Sequence, residues 1–412
     1  MKLLISAAEA SSDLHGAYLL RALKKVWRSE GGDGELDVFG VGGVHLQSEG
    51  LRPVVDAKEL LSMGFLEVLS RLPRIMRSLQ RLTKAAKQER PDLAIVLDYP
   101  GFHFSLAKRL KRLNVPVIYY IPPKVWVWRQ SRLSFLRKYF EKILLILPFE
   151  KEFYLKHGVE ATYVGNPLLD EIPLHLTRDQ ARRELSLSHH DRVLVLMPGS
   201  RPSELKYHLR VMLDTALKVS HRMTDRRLTV LIPLPMTADY EKIHSEVERW
   251  KNESLGESSS LISVRVSQGD SHLCLIASDA GIIKSGTSTL EAGLLRCPHV
   301  VIYNVSRLSE WIFYHVIRYK GPVALVNLIY GWSSKEPYLI REYLGSQIST
   351  EKLAEETYSL LTDEERRRSL DEKFQELISK TRGDFEGQDS MSPSQRAAQE
   401  VVQCYLRLRE RR

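Results

Sequence analysis

The N-terminal segment at residues 2–16 reads KLLISAAEASSDLHG, and the fold class can be inferred from it outward. Its apolar run at residues 2–6 predicts a short buried strand, and the small and polar residues that follow predict a loop and a helix ending near Trp27. Apolar, β-branched runs of similar length recur along the chain between longer amphipathic segments. This alternation predicts parallel sheets covered by helices, which is the α/β class.

The apolar runs fall into two series, and each series is long enough for one doubly wound domain. We expect strands in the first series at residues 2–6, 37–41, 93–97, 117–121 and 143–147, and in the second at residues 193–197, 229–233, 263–266, 280–283 and 300–303.

A hinge is predicted between the two series, from Asn166 to His175, because Asn-Pro and Ile-Pro pairs break regular structure. The expected domains are residues 1–170, residues 171–385 and a last helical segment, 386–412, that packs back on the first domain. Ligands of doubly wound sheets bind beyond the carboxyl ends of the strands. Two domains that face each other would therefore enclose a central binding cleft.

The composition excludes several classes of protein. The chain has 412 residues, of which 43% are hydrophobic and 27% charged, so it can build globular cores without a disulfide scaffold. Its three cysteines, Cys274, Cys297 and Cys404, lack metal-ligand spacing and are expected to be buried thiols of a reducing compartment. We expect no signal peptide and no membrane-spanning helix, so any membrane contact should be peripheral.

The positive charge is concentrated in the first half of the chain. The formal net charge is +9, and residues 1–170 hold 26 Lys and Arg against 18 Asp and Glu, whereas residues 171–412 hold 34 against 33. This asymmetry predicts an anionic partner for the first half only, which could be nucleic acid, a membrane surface or an acidic substrate.

Two loops of the second half have the composition of phosphate sites. They read PGSRPSE at residues 198–204 and SGTSTLE at residues 285–291. Each lies between a predicted strand and a helix N-terminus, where backbone N–H groups and hydroxyls favour an anion, and Arg201 could add a charged contact. Glu291 could accept the hydroxyls of a ribose. The alternatives are an ordinary turn with Ser203 as N-cap and a Glu291 that only compensates the helix dipole.

Taken together, the two loops predict a nucleoside diphosphate as ligand. Neither has the spacing of an ATPase P-loop.

Polar side chains also follow the first predicted strand of the chain. Glu9, Asp13 and His15 cluster where this strand passes into a helix, and they could bind or activate a substrate hydroxyl. The alternative is that Ser11, Ser12 or Asp13 only caps the helix.

Asp98 follows a wholly apolar run, residues 93–97, that is typical of a central buried strand. A carboxylate at that end could act as a general base with a raised pKa. The alternative is an aspartate that only starts a turn before Pro100.

A candidate membrane surface lies at residues 60–90. Basic residues recur at spacings of three and four from Arg71 to Arg90, beside an apolar stripe, which is typical of an amphipathic helix. Such a helix could lie on an anionic bilayer, or it could pack on a sheet with a solvated basic face. The apolar segment just before it, residues 60–72, could form an exposed patch or a buried helix.

The segment PPKVWVWRQ at residues 122–130 carries Trp126 and Trp128 at a spacing that points both rings the same way in extended chain. The two rings could line a ligand site or an interface, or they could fill the core. Nucleic-acid binding would require aromatic and basic residues on a recognisable module, and the sequence contains none.

Eight segments, in order along the chain, resemble motifs of the lipid-A-disaccharide synthases, a family of inverting glycosyltransferases with the GT-B fold of two Rossmann-like domains. They are EASSDLHG at residues 9–16, FGVGG at 39–43, MGFLEVL at 63–69, KVWVWRQ at 124–130, LPFE at 147–150, VGNPL at 164–168, PGSR at 198–201 and SGTSTLE at 285–291. The resemblance extends from residue 4 to about residue 330.

The resemblance implies a specific reaction in lipid A and lipopolysaccharide biosynthesis. Members of the family transfer 2,3-diacylglucosamine from UDP to 2,3-diacylglucosamine 1-phosphate, which gives a β-1,6-linked disaccharide and UDP without a metal or another cofactor. They act at the cytoplasmic face of the inner membrane of Gram-negative bacteria. The implied partners are thus the two lipid substrates and an anionic membrane surface, not nucleic acid, and the oligomeric state is left open.

The resemblance also assigns candidate site residues. Asp98 becomes the base for the 6-hydroxyl of the acceptor. The acceptor-side residues are Glu9, Ser11, Ser12, Asp13, His15, Trp126 and Arg129. The UDP-binding residues are Gly199, Ser200, Arg201, Ser285, Gly286, Thr287, Ser288, Thr289 and Glu291. The membrane-contact residues are Met63, Phe65, Leu66, Leu69, Arg74, Arg77 and Arg81.

The chain departs from the family pattern at several positions, among them Ala8, Ser12, Gly101, Asn166 and Lys284. Lys284 replaces a small residue beside the second phosphate-type loop, where it could contact a diphosphate or reach solvent. Other candidates are a different GT-B enzyme of UDP-sugars, such as a UDP-N-acetylglucosamine 2-epimerase or a lipid-linked GlcNAc transferase, and a catalytically silent nucleotide-sugar-binding or RNA-binding protein.

Overall fold

The chain forms two compact units. The computed structural model describes residues 1–32, 34–60, 65–127, 130–223, 226–304, 321–331, 338–383, 385 and 391–411. The first unit comprises Met1–Glu171 and Thr381–Arg412, and the second comprises Ile172–Lys380. Both ends of the chain therefore belong to the first unit.

The strands of each unit pair in parallel. Those of the first unit are β1 (Lys2–Ala7), β2 (Asp37–Gly42), β3 (Arg52–Asp56), β4 (Leu93–Leu97), β5 (Val117–Tyr120), β6 (Lys142–Leu145) and β7 (Thr162–Tyr163). Those of the second unit are β8 (Arg192–Met197), β9 (Leu228–Leu234), β10 (Ile262–Gln268), β11 (Ala280–Lys284), β12 (His299–Tyr303) and β13 (Glu342–Leu344).

Longer helical segments connect the strands, as a parallel sheet requires. The described helices are α1 (Ala10–Ser29), α2 (Val44–Ser48), α3 (Phe65–Glu89), α4 (Pro100–Arg112), α5 (Arg132–Tyr139), α6 (Glu150–Lys156), α7 (Leu168–Glu171), α8 (Arg178–Glu184), α9 (Pro202–Arg222), α10 (Tyr240–Ser254), α11 (Ser271–Ala277), α12 (Thr287–Leu294), α13 (Leu325–Tyr330), α14 (Thr350–Thr362), α15 (Glu364–Arg382) and α16 (Pro393–Glu410).

Each sheet contains one point at which the order of strands reverses. The first sheet has the order β3-β2-β1-β4-β5-β6-β7, and the second has the order β10-β9-β8-β11-β12-β13. The chain builds outward on one side and then crosses back, so β1 and β4 are neighbours in the first unit, and β8 and β11 are neighbours in the second. The loops that follow such a pair of strands leave a crevice between them, which is where doubly wound sheets bind ligands.

Burial on both faces explains why the central strands are apolar throughout. In β4, Ala94 and Val96 belong to one core cluster, whereas Leu93, Ile95 and Leu97 belong to the cluster on the other face. Because successive side chains of a strand point to opposite faces, a strand covered on both sides has no polar position.

The last helix, α16, packs against α1 within the first unit. The rings of Trp27 and Tyr405 meet edge to face, with their centroids 5.6 Å apart. The buried Arg396 guanidinium donates hydrogen bonds to the backbone carbonyls of Val164, at 3.0 Å, and Arg382, at 3.1 Å. These bonds join the C-terminal segment to the end of the first sheet.

The structure confirms the α/β class and all ten strands expected from the sequence, each within two residues at either end. It adds β3, β7 and β13, which the sequence analysis missed. All three strands lie at sheet edges, and β7 and β13 have only two and three residues. An edge strand pairs on one side only, so it needs fewer consecutive apolar residues than a central strand does.

Two expectations from composition also have structural outcomes. The three cysteines are buried free thiols, as expected. Within the described residues, no helix is both long enough and apolar enough to span a bilayer.

Candidate active site

Asp98 lies directly after β4, at the reversal point of the first sheet. Its φ is 51°, and that of Tyr99 is 45°, so two consecutive residues with side chains adopt the left-handed conformation. Each such residue costs about 1–3 kcal/mol and persists only where its surroundings hold it. Here the Asp98 carbonyl oxygen accepts hydrogen bonds from His103 Nδ1, at 2.6 Å, and from the Tyr119 hydroxyl, at 2.9 Å.

The protonation state of His103 follows from its contacts. The ring is completely buried, and burial lowers its pKa to about 4, so it is neutral at pH 7. A carbonyl oxygen can only accept, so Nδ1 carries the proton and Nε2 accepts from the Ser6 hydroxyl, 2.8 Å away on β1. The neutral histidine thus ties the turn after β4 to the neighbouring strand and fixes the backbone that carries the Asp98 carboxyl group.

The environment of the Asp98 carboxyl group shifts its pKa. Burial raises this pKa, although a hydrogen bond from the Tyr99 amide and the positive potentials of Lys124 and His15 oppose the rise. A raised pKa is the direction that a general base requires, because it makes the carboxylate more basic than that of an exposed aspartate.

The loop after β1 and the start of α1 are held by local hydrogen bonds and by bonds to the start of α2. The Ser12 hydroxyl donates to the Glu9 carbonyl, at 2.9 Å, and accepts from the Glu9 amide, at 3.0 Å, which closes the start of α1. The buried Asp13 carboxylate accepts from three N–H groups at the start of α2, at 2.7, 3.0 and 3.3 Å. Ser12 therefore contributes to the cap of α1, whereas Asp13 caps α2 instead of the helix on which it lies. The acceptor-side role of both residues stays a prediction.

His15 lies on the next turn of α1, and its Nδ1 is 2.5 Å from Oε1 of Glu171. Both side chains are about nine-tenths buried. Sequence reasoning missed Glu171 because 156 residues separate it from His15, although it follows the VGNPL motif closely. A carboxylate that orients a histidine is a common arrangement for proton transfer, so His15 stays a candidate on the acceptor side.

A second carboxyl group that the site prediction missed, that of Glu150, interacts with Lys124, as the Asp98 carboxyl group does. Glu150 is buried, and its Oε1 accepts a hydrogen bond from Trp126 Nε1 at 2.9 Å. Burial raises the pKa of Glu150 to about 7, despite this bond and the charge of Lys124. Because Lys124 also interacts with Asp98, one ammonium group influences both carboxyl groups.

Of the two remaining acceptor-side residues, only Ser11 can be placed. Ser11 is exposed on the first turn of α1. Arg129 lies outside the described residues, so its role stays a prediction.

In the second unit, the first phosphate-type loop follows β8, and its amides already have a partner. Oε2 of Glu204 accepts from the amides of Ser200, at 3.0 Å, and Arg201, at 3.3 Å. Gly199 makes this approach possible, because its φ is 114° and a Cβ at this position would lie 2.5 Å from the same oxygen. The N-cap of α9 is Arg201 rather than Ser203, and its side chain is exposed.

The second phosphate-type loop follows β11. The Ser285 hydroxyl donates to the Val323 carbonyl at 3.0 Å, and the buried Thr289 hydroxyl donates to the Gly286 carbonyl at 2.9 Å. These two hydroxyls hold the loop. Thr287 is exposed and Ser288 is partly exposed. The N-cap of α12 is Gly286, which has no side chain to accept from the first amides of the helix. This N-terminus therefore keeps positive potential available to an anion.

Glu291 lies on the second turn of α12. Its Oε2 is 3.7 Å from Nε2 of His272 on α11, a residue that sequence reasoning did not single out. The carboxylate is largely buried but partly accessible at the carboxyl edge of the sheet.

The candidate membrane surface is described only in part. Met63 lies outside the described residues, as do the side chains of Phe65, Leu66 and Leu69 at the start of α3. Further along this helix, Leu72 is 51% exposed and Met76 is 43% exposed.

The three arginines assigned to this surface differ in their contacts. Arg74 and Arg77 are exposed near Leu72 and Met76. Arg81 instead forms a two-pronged ion pair with Glu59, at 2.9 and 3.1 Å.

Comparison with known proteins agrees with this geometry. The family model described as lipid-A-disaccharide synthetase matches residues 3–393. A lipid-A-disaccharide synthase of Myxococcus xanthus is 38% identical over 86% of each chain, and one of Chromobacterium violaceum is 33% identical over 98% of each chain.

Solved structures with low sequence identity share the fold. UDP-GlcNAc 2-epimerase from Neisseria meningitidis, bound to UDP-GlcNAc, superposes with a TM-score of 0.59 at 12% identity and covers 99% of this chain and 100% of its own. MnaA of S. aureus with UDP gives a TM-score of 0.60 at 14% identity and covers 97% and 94%. These likenesses confirm the GT-B fold class. The near full-length match to the family model and the identity to curated relatives confirm the resemblance read from the motifs, and the chain belongs to the lipid-A-disaccharide synthase family.

Proposed function

We propose that this protein is a lipid-A-disaccharide synthase, a hexosyltransferase that moves 2,3-diacylglucosamine from UDP to the 6-hydroxyl of 2,3-diacylglucosamine 1-phosphate. The products are the β-1,6-linked disaccharide 1-phosphate and UDP. The observation that carries the proposal is Asp98, at the reversal point of the first sheet, whose carboxyl group has a pKa raised by burial. Its turn is held by a clamp, which is the pair of hydrogen bonds from His103 and Tyr119 to the Asp98 carbonyl.

In the proposed reaction, one displacement inverts the configuration at the anomeric carbon of the donor. The 6-hydroxyl oxygen of the acceptor bonds to that carbon while the bond from the carbon to the UDP oxygen breaks. Asp98 takes the hydroxyl proton as the new bond forms. A single inverting step needs one base and no carboxylate nucleophile, so a second catalytic carboxylate is not required.

The second unit supplies the binding site for UDP in this proposal. The Ser200 hydroxyl and the exposed Arg201 guanidinium would contact the diphosphate, as would the N-terminus of α12 with its hydroxyls at Thr287 and Ser288. Glu291 would accept the ribose hydroxyls. The arginine and the helix N-terminus supply positive potential for the leaving group, so the reaction as proposed uses no metal cofactor.

The proposed acceptor and donor both carry acyl chains, which favours a reaction at a membrane surface. We propose peripheral attachment to the cytoplasmic face of the inner membrane through α3. Support comes from the exposed Leu72 and Met76 beside the cationic Arg74 and Arg77, a combination that favours an anionic bilayer.

The decisive experiment measures UDP release by the full-length protein from UDP-2,3-diacylglucosamine, with and without the phosphorylated acceptor. We expect UDP and the disaccharide 1-phosphate to form together, and only when both substrates are present. UDP release that does not require the acceptor would contradict the proposal. So would a change in the configuration of the donor sugar without UDP release, which is the expected behaviour of an epimerase.

A further inference from the structure

Lys284 occupies a position that the family pattern does not explain. It is the last residue of β11, which pairs with β8 at the reversal point of the second sheet. Its Nζ lies 2.7 Å from Oε1 of Glu204, which ends the first phosphate-type loop in the first turn of α9. The same Nζ would be 3.8 Å from a Cβ at Gly286, in the second phosphate-type loop. The ammonium group therefore lies at the junction of the two loops.

The Lys284 ammonium group is held between the two loops and is largely shielded from solvent. It stands 5.6 Å from the centre of the Tyr303 ring, at the end of β12, and the side chain is 16% exposed. The lysine therefore does not extend into solvent, which was one of the two alternatives for this residue.

Glu204 occupies the place at which an anion would be expected. One carboxylate oxygen accepts from the amides of Ser200 and Arg201, and the other contacts Lys284. Burial would raise the pKa of Glu204, but the hydrogen bond and charge of Lys284, with the two amides, hold this pKa below its usual value. The carboxylate is thus an internal anion that already holds the two loop amides and pairs with the Lys284 ammonium group.

We propose that Lys284 is a ligand of the diphosphate of the donor and that Glu204 holds its ammonium group in place while the site is empty. This inference rests on the proposed function, because it concerns the same nucleotide site. A diphosphate carries more negative charge than one carboxylate, so it competes successfully for the ammonium group. Glu204 keeps its two amide hydrogen bonds when Lys284 moves to the ligand.

The exchange also concerns the chemical step. Negative charge grows on the β-phosphate as the bond to the sugar breaks, and a cation held at the junction stabilises that charge. Lys284 should therefore affect both the affinity for UDP and the turnover rate.

The test is calorimetric titration of the full-length protein with UDP and with uridine. In Lys284→Met we expect UDP binding to weaken about tenfold to a hundredfold, the range expected for loss of a hydrogen bond between charged groups. Uridine binding should not change, because uridine has no phosphate. Lys242→Met, at an exposed position on α10, is the matched control and should bind both ligands as the wild type does.

A second pair of variants tests the holding role of Glu204. Glu204→Gln keeps an oxygen for the two loop amides but cannot pair ionically with Lys284, so it should bind UDP at least as tightly as the wild type. The double variant Glu204→Gln, Lys284→Met leaves no unpaired charge and should bind as weakly as Lys284→Met. It carries the same test if the single lysine variant fails to fold.

The outcomes separate this inference from the proposed function. If the wild type binds UDP and Lys284→Met binds it as tightly as Lys242→Met, the inference is wrong and the proposed function stands. If Glu204→Gln weakens UDP binding as much as Lys284→Met does, the exchange between carboxylate and diphosphate is wrong. If the wild type does not bind UDP, the proposed nucleotide site and the inference fall together.

Discussion

Replacing Asp98 by asparagine tests the proposed base most directly. The substitution keeps the size of the side chain and removes its negative charge and its ability to take a proton. It leaves the clamp intact, because His103 and Tyr119 bind the backbone carbonyl and not the carboxyl group. A positioned general base typically contributes a factor of about 10²–10⁴, so we expect kcat to fall by about that factor. UDP affinity should persist, because the residues proposed to bind UDP all belong to the second unit.

The assay is UDP release with both lipid substrates, combined with calorimetric titration of UDP. Asp92→Asn is the matched control, since Asp92 precedes the same strand at its opposite end and accepts a hydrogen bond from the Lys2 amide at 2.8 Å. Its turnover should equal that of the wild type. Full turnover in Asp98→Asn, with Asp92→Asn also active, would refute the assignment of Asp98 as the base.

The pH dependence gives an independent check on Asp98. The base must be deprotonated, and burial raises its pKa, so kcat/KM should decline with falling pH sooner than it would for an exposed aspartate. An acidic limb at the position of an ordinary aspartate would show that burial does not control this group.

Three further predictions concern stability, membrane binding and the clamp. The pKa of Glu150 is about 7 in the folded chain and 4.5 in its ordinary state, so the folded chain binds the proton more tightly. The free energy of unfolding should therefore fall by about 3 kcal/mol as the pH rises from 4.5 to 7, and Glu150→Gln should abolish this fall. Urea denaturation at pH 5 and pH 8 measures it, and equal pH dependence in both proteins contradicts it. Reversing two charges at once, Arg74→Glu with Arg77→Glu, should weaken binding to anionic vesicles about thirtyfold or more. The control Lys87→Glu, near the other end of α3, should change this binding little. Unchanged sedimentation of the double variant with vesicles would argue against a membrane role. His103→Phe removes one donor from the Asp98 carbonyl and should lower kcat while KM for the donor stays constant, and a wild-type kcat would mean that Tyr119 alone holds the turn.

Local sequence was sufficient for the frame of the molecule. The run at residues 93–97 identifies a central strand because burial on both faces admits no polar residue, and the same logic found the other central strands. It failed for β3, β7 and β13, which pair at sheet edges and bury fewer side chains. The loops at 198–204 and 285–291 were recognisable because the turn from strand to helix needs small residues in consecutive positions.

The partners of the site residues were beyond local reading. His103 supports Asp98 through a backbone carbonyl, which leaves no pattern in side-chain type. Glu171 meets His15 across the first unit, and Glu204 meets Lys284 only because β8 and β11 are neighbours.

Four features can be inferred without the folded chain: the α/β class, the positions of the central strands, the family and the place of Asp98 at the end of a buried strand. These follow from periodicity and from motifs that are continuous in the chain. Three others emerge only in the folded chain: which carboxyl groups are buried, that Asp13 caps α2, and that Lys284 pairs with Glu204 instead of reaching solvent. They do so because burial and hydrogen bonding depend on residues that folding brings together from distant parts of the chain.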